Sequence, residues 1–319
     1  MMDQKLCVIG AGAWGENHVR TLHELGALGG VMDMDPERLA EIGAKYDTET
    51  FSTLEDAIAR RFDGYVVSTS AETHFKIGTA ILNAGLPCLI EKPMTMHVSE
   101  SEALVKLAKE KGVTLMAAHI LLFHPAINKM RELIENGAVG DLYYLYSTRI
   151  KFGVVRTQEN VFESFAVHDL AVLDYLVGCG AEHIQVHTGH FLQKDIADYA
   201  LAELEYPNNV KAHIQVSWLH PFKEQRVVVV GSKGMLWFDD AGDRQVRFCD
   251  KHVEWQEGRP LTLETESKIV PYDASERPME RELKYFMAHL HSEPEISSGQ
   301  AGLDVVRTLE TVLAEESHG

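Results

Sequence analysis

Five short apolar runs, spaced by helical patterns, set the tightest limit on how this chain folds. The runs are Leu6–Ile9, Gly30–Met32, Tyr65–Val67, Cys88–Ile90 and Val113–Ala117. A strand with one wet face alternates apolar and polar residues; a continuous apolar run needs cover on both faces. Between the runs lie a stretch from Trp14 to Leu25, a helix start at Asp35-Pro36-Glu37-Arg38, and the one-faced sets Ile77/Ala80/Ile81/Ala84 and Leu104/Leu107/Ala108. Strands alternating with amphipathic helices predict an α/β domain, a doubly wound parallel sheet of Rossmann type.

After His119 the grammar changes. Tyr143–Phe152 reads as a strand and Phe165–Leu176 as a helix. Then come Ile184–Phe191, Asp198–Tyr206, Val210–Leu219 and Arg226–Val230 with no helix between them. Ala212, Ile214, Val216 and Trp218 alternate with His213, Gln215 and Ser217, as in an antiparallel strand with two unlike faces. Pro207-Asn208-Asn209 reads as the hairpin turn between two such strands. Two helices follow, one carrying Met279, Leu283, Phe286, Met287 and Leu290 on a face behind Pro278, the other covering about Ala301–Ala314. The expectation is a Rossmann domain over residues 1–119, then an α+β domain over 120–319 with a large, mostly antiparallel, open-faced sheet.

Charge narrows the partners. The 319 residues carry 30 Lys and Arg against 48 Asp and Glu, a formal net of −18. Such a chain repels phosphate backbones and anionic lipid, so neither nucleic acid nor a membrane is expected as a partner. No apolar run approaches the ~20 residues that span a bilayer. Met1–Ile9 does not read as a signal peptide. Cys7, Cys88, Cys179 and Cys249 are far apart and form no CxxC pair, as in reduced and mostly buried thiols of a cytoplasmic protein.

The first candidate site is Gly10-Ala11-Gly12-Ala13-Trp14-Gly15. A lone GxGxxG is weak evidence, but this one follows a predicted strand, opens a predicted helix, and precedes Asp33 at the end of the second strand. In that context Gly10 makes the turn, Gly12 admits a pyrophosphate, and Gly15 lets helix and strand pack closely. The helix start offers free N–H groups to the phosphates. Asp33 would bind both hydroxyls of an adenosine ribose and repel a 2′-phosphate, which selects NAD over NADP. Arg38 is read as lying on the exposed face of the next helix.

Ser68-Thr69-Ser70, followed by Glu72, Thr73 and His74, ends a strand at the edge where such sheets bind ligands. It is equally a Ser/Thr helix cap with Glu72 as its partner. Glu91-Lys92-Pro93 ends another strand at that edge, either aiming Lys92 at a nicotinamide ring or forming a surface turn. His168-Asp169 opens a helix in the second domain, with Ser164 one turn earlier on the same face. A histidine can take an alcohol proton at neutral pH, although most of the sixteen here must be structural. His183, His187 and His190 lack a carboxylate partner, and no HExxH, Cys/His cluster or GxSxG occurs. No metal is expected.

These residues together resemble the glucose–fructose oxidoreductase, inositol dehydrogenase and rhizopine-catabolism (Gfo/Idh/MocA) family. The likeness rests on Gly10–Gly15, Asp33, Thr69 to His74, Glu91-Lys92-Pro93, His168-Asp169 and Gly231-Ser-Lys-Gly234. Phe123-His124-Pro125, the segment from Glu159 to Asp169, and Ser217-Trp218-Leu219-His220-Pro221 resemble its branch of UDP-N-acetylglucosamine 3-dehydrogenases. Ser164 stands where many members have an aspartate, and Leu121-Leu122 where many have an arginine.

The resemblance implies NAD-dependent oxidation of a sugar secondary alcohol, the 3-hydroxyl of a UDP-linked N-acetylated hexosamine, on the way to lipid A. His168 would take the proton and Lys92 would orient the hydroxyl. Gly10, Gly12, Ala13, Trp14, Gly15, Asp33, Ser68, Thr69, His74, Glu91 and Lys92 would hold NAD. Lys92, Arg149, Arg156, Asn160, Ser164 and His168 would hold the nucleotide sugar; Arg149, Lys151 and Arg156 read equally well as solvated strand ends. A homodimer or homotetramer follows by family analogy. The alternatives are a free-sugar or inositol dehydrogenase and, from another class, an NAD-binding regulator without turnover.

Overall fold

The computed structural model describes residues 4–316. The described residues divide into two compact units, the first made of 4–123 and 276–307, the second of 124–275 and 308–316. The expected break at 119/120 falls close to the first division. The single-break scheme is corrected by the return of residues 276–307 to the first unit. Met116 bridges Ser298, the Ala117 amide donates to the Ser297 carbonyl (3.0 Å), and Thr114 Oγ1 donates to the Ser292 carbonyl (2.7 Å). Two of these three contacts are made by backbone, which has no signature in side-chain pattern.

The first unit is a six-stranded parallel sheet. Its strands are β1 (Leu6–Ile9), β2 (Leu28–Met32), β3 (Glu49–Phe51), β4 (Gly64–Val67), β5 (Cys88–Glu91) and β6 (Leu115–Ala118), ordered β3-β2-β1-β4-β5-β6. Every residue of β1, β4, β5 and β6 is buried, as continuous apolar runs require. The helices are α1 (Gly15–Glu24), α2 (Pro36–Tyr46), α3 (Leu54–Ala59), α4 (Ala71–Asn83) and α5 (Val98–Lys111). Asp35 caps α2 by accepting from the Glu37 and Arg38 amides, with Pro36 fixing the first turn. Gly112, at φ 65°, ends α5. The strand order reverses between β1 and β4, so ligands belong at the carboxyl ends of those strands.

The second unit pairs β7 (Leu142–Phe152), β8 (His183–Gly189), β9 (Tyr199–Glu205), β10 (Lys211–Ser217), β11 (Leu219–Gly231), β12 (Met235–Asp239) and β13 (Val246–Cys249). A hairpin of β14 (His252–Gln256) and β15 (Arg259–Leu263) precedes β16 (Lys268–Val270), which completes the main sheet. The order is β16-β13-β12-β11-β7-β10-β9-β8, antiparallel except for β7 with β10. Helices α6 (Pro125–Glu135) and α7 (Val167–Val177) pack on this sheet. Ala212, Ile214 and Val216 are buried, whereas Lys211 is exposed and His213 and Gln215 are half-buried, as the alternation predicts; Ser217 departs from it, being buried with its hydroxyl donating to the Asp198 carbonyl (3.0 Å). The turn at Pro207–Asn209 is present, with Asn208 and Asn209 at φ 61°. The chain closes with α8 (Pro278–Ala288) and α9 (Gly299–Glu316). Cys7, Cys88 and Cys249 are buried thiols, but Cys179 is exposed. Among the described residues no helix is long and apolar enough to cross a membrane.

Candidate active site

The glycine loop is built as its spacing demands. Gly10 sits at φ 92°, and a Cβ there would lie 2.6 Å from the Ser68 carbonyl oxygen. A Cβ on Gly15 would lie 2.1 Å from the Gly10 carbonyl oxygen, so any side chain would drive α1 off β1. Gly12 differs: a Cβ would meet nothing within 4 Å. The protein does not need that glycine for its own packing, and its bareness opens the loop to a ligand. Trp14 begins α1 without a side-chain cap, leaving the helix start to an anion. Gly12, Ala13 and Trp14 are exposed.

Asp33 at the end of β2 accepts from the Ala11 amide (2.6 Å) and the Asp35 amide (3.0 Å), which ties it to the loop. Arg38 does not point into solvent as the sequence suggested. Its Nε donates to the Ala11 carbonyl at 2.7 Å, and its guanidinium pairs with Glu16 and Glu41. Helical periodicity placed Arg38 away from the core, but the long side chain folds back onto the loop. Hydrogen bonds from Lys45 and Arg38 hold the Glu16 carboxyl at a pKa of about 2.

At the end of β4, Ser68 donates its amide to Ile9, and Thr69 Oγ1 lies 2.7 Å from Thr73 Oγ1. Ser70 is the N-cap of α4 but makes no side-chain capping bond, so the Ser/Thr cap reading is corrected. His74 is buried, with Nδ1 2.9 Å from the Pro93 carbonyl and Nε2 3.2 Å from the Thr69 carbonyl. It sits between the two strand ends, and its one N–H in the neutral ring can donate to either carbonyl. Burial outweighs these bonds and lowers its pKa.

Glu91 is also buried rather than presented outward. Its carboxylate accepts from the Trp14 indole, from His18 Nε2 (2.7 Å) and from the Lys92 amide (3.1 Å). Burial pushes its pKa up, but the His18, Trp14 and Lys92 contacts prevail and hold it below the usual carboxylate range. Lys92 is half-buried, and among the described residues its ammonium makes no ion pair or hydrogen bond. The Lys92–Pro93 peptide is cis.

In the second unit, α7 is preceded by a wider, π-type turn over Phe162–Ala166, a feature often found at functional sites. Helical spacing had placed Ser164 one regular turn before His168; the extra residue of the π turn offsets them. Ser164 Oγ donates to Glu159 (3.2 Å), and His168 is half-buried in the first turn of α7. Asn160 and Glu163 cap each other reciprocally, Asn160 Oδ1 accepting from the Glu163 amide (2.9 Å) and the Asn160 amide donating to Glu163 (3.0 Å).

Arg149, a pyrophosphate candidate on sequence, is engaged inside the second unit rather than standing as a solvated strand end. It forms a two-pronged pair with buried Asp169 (2.8 and 3.1 Å), which also accepts from Ser147 Oγ (2.5 Å). Arg156 remains half-exposed at 51 %, beside Glu159 at 3.4 Å. Lys151 lies over the Phe165 ring. His183, His187 and His190 are exposed, and among the described residues no three His, Cys, Asp or Glu are grouped to hold a metal. Three residues escaped the sequence reading: His18, Asp169 as an anchor, and Glu282. Glu282 had a signal, since Met279, Glu282 and Phe286 share one helical face.

Residues 4–119 match the oxidoreductase family with an NAD-binding Rossmann fold, and residues 127–237 match the GFO/IDH/MocA C-terminal domain. The UDP-N-acetylglucosamine 3-dehydrogenase of Acidithiobacillus ferrooxidans is 32% identical over 219 residues, 68% of either chain. The scyllo-inositol 2-dehydrogenase (NAD(+)) of Bacillus subtilis is 25% identical over 258 residues, 74% of either chain. The solved structure of the Acidithiobacillus enzyme superposes with a TM-score of 0.85 at 24% identity, covering 99% of both chains. A glycine loop open at Gly12, a loop-bound Asp33 and an uncapped α1 fit the cofactor of these domains. The chain is an NAD-binding oxidoreductase and belongs to the Gfo/Idh/MocA family.

Proposed function

We propose that this protein oxidises a sugar secondary alcohol, specifically the 3-hydroxyl of a UDP-linked N-acetylated hexosamine. The observation that carries the reading is the 32% identity to a UDP-N-acetylglucosamine 3-dehydrogenase over two thirds of both chains. The Gly10–Gly15 loop and Asp33 would hold NAD, which would supply the acceptor for a hydride from the carbinol carbon. His168 takes the hydroxyl proton, so the substrate leaves as a ketone. Lys92 donates a hydrogen bond to the oxygen as negative charge gathers there. The Glu91 contacts hold the backbone that carries Lys92. A 3-keto sugar is what an aminotransferase of lipid A assembly would consume. The setting we favour is the cytoplasm, in keeping with free thiols, and a homo-oligomer.

A second reading, an inositol or free-sugar dehydrogenase, is favoured by one observation. Arg149 is committed to Asp169, which leaves fewer cations for a pyrophosphate. NADH formation with a panel of UDP-sugars, free sugars and inositols decides between them. Turnover of UDP-N-acetylglucosamine with inhibition by UDP is expected; equal turnover of an inositol would replace the first reading by the second. His168→Asn should lower kcat by roughly 10²–10⁴ and leave NAD affinity intact. Exposed His183→Asn should leave both unchanged. Full activity in the His168 variant would move the base elsewhere.

A further inference from the structure

Behind the Glu91 carboxylate, the first unit buries more polar groups than its hydrogen bonds satisfy. His18 Nδ1, both ring nitrogens of His119 and both carboxyl oxygens of Glu282 are enclosed without a hydrogen-bond partner among the described residues. His18 and Glu282 are 0% exposed and His119 is 2% exposed. Native interiors rarely leave such atoms dry.

The elements that carry these side chains pack against one another. α8, which carries Glu282, packs on α1, which carries His18, and on the short turn Ile120–Phe123 that follows His119. His18 already holds Glu91 through Nε2. The Glu91 oxygen only accepts, so Nε2 carries the proton and Nδ1 is the ring's other hydrogen-bonding atom. Glu282 and His119 both feel the Glu91 charge, and His119 also feels Lys92. Burial, reinforced by Glu91, raises the Glu282 pKa well above the carboxylate range. A neutral carboxylic acid both donates and accepts, but no protein partner lies within reach of Glu282. The small group that donates and accepts in every direction is water.

We propose that Glu282, His18 and His119 enclose a structural water site, and that Glu282 and His18 act through Glu91 as positioning residues for Lys92. The chain of contact runs from Glu282 through water to His18, from His18 to Glu91, and from Glu91 to the Lys92 amide and the Trp14 indole. Calling Lys92 catalytic rests on the sugar-dehydrogenase reading; the water site and the backbone support do not.

Three measurements on the full chain test this. In a crystal structure that resolves ordered solvent, water should lie within hydrogen-bond distance of Glu282 and of His18 Nδ1. A dry site overturns the proposal whatever the variants do. Glu282→Leu should lower the melting temperature and speed amide exchange at Lys92, because the water loses a partner. Glu282→Gln, which keeps a donor and an acceptor, should restore both. A Leu variant as stable as wild type with unchanged exchange, or a Gln variant as damaged as the Leu variant, overturns the proposal. With an active sugar substrate, Glu282→Leu should cut kcat roughly ten- to hundredfold at unchanged KM. Should no sugar turn over, the functional reading fails while solvent and exchange still decide this one.

Discussion

Asp33 sends one oxygen to the Ala11 amide and the other to the Asp35 amide, so its carboxylate is held at the glycine loop in a single place. A 2′-phosphate brought to that loop meets a fixed negative charge. Arg38 cannot compensate while Glu16 and Glu41 hold its guanidinium. NAD should therefore bind at least about tenfold better than NADP, about 1.4 kcal/mol, and Asp33→Ser should narrow the gap mainly by weakening NAD. Equal affinities in a titration of the wild type would remove Asp33 from this role.

His119 makes a prediction about pH. Burial, with Lys92 adding to it, pushes the imidazole from 6.5 down to about 4, against the opposing charge of Glu91. The folded state keeps the ring neutral, and below 6.5 the unfolded chain takes up the proton first. Its share of stability is present above that value and lost as pH falls towards 4. Replacing His119 with Phe should flatten urea-unfolding stability between those limits by about 3 kcal/mol. A slope unchanged from wild type would show that the ring titrates normally.

The contrast between Arg149 and Arg156 belongs to the elements that carry them. β7 and α7 are joined through the Arg149–Asp169 pair, whereas Arg156 lies beyond β7 on the way to the π turn. Arg149→Met would leave Asp169 buried and uncompensated, at a cost of about 3–5 kcal/mol in stability. Arg156→Ala should leave the melting temperature unchanged and, if that guanidinium meets the substrate pyrophosphate, weaken UDP-sugar binding by about 1.5–3 kcal/mol. The reverse pattern would exchange the two roles.

The same contrast shows what was legible beforehand. Gly10 to Gly15, Asp33 and Glu91-Lys92 belong to one repeating strand-to-helix pattern, so local spacing placed them at the sheet edge. Arg149 and Asp169 meet across twenty residues, and nothing local marks an arginine as already paired. The π turn was hidden for a similar reason: its additional residue changes which side chains align without changing composition. Glu282 was readable from its helical face, but not the polar enclosure it meets there.

At the scale of the whole molecule, the first unit is assembled from two separated pieces of chain. Leu303 and Val306 belong to the same core cluster as Cys7, Ile9, Val67 and Ile90. A fragment ending at residue 123 lacks Leu303, Val306, α8, the partner of the Thr114 hydroxyl and the backbone pairings at Met116 and Ala117. Such a fragment should be insoluble or molten and should not bind NAD. Adding residues 276–307 through a short linker should restore binding, as isothermal calorimetry would show; a compact, NAD-binding 1–123 fragment would refute the idea.

This two-piece construction also has a consequence during synthesis. The ribosome releases the six strands of the parallel sheet early, yet the residues that seal them emerge only after 124–275 have been made. At ordinary elongation speeds that is a delay on the order of ten seconds. For that interval the nascent chain carries an apolar seam with nothing to cover it, so chaperone capture should be concentrated on the first half of the message. A circular permutant that begins at Glu276 and joins the old termini would translate the seal first, and should need less of that help.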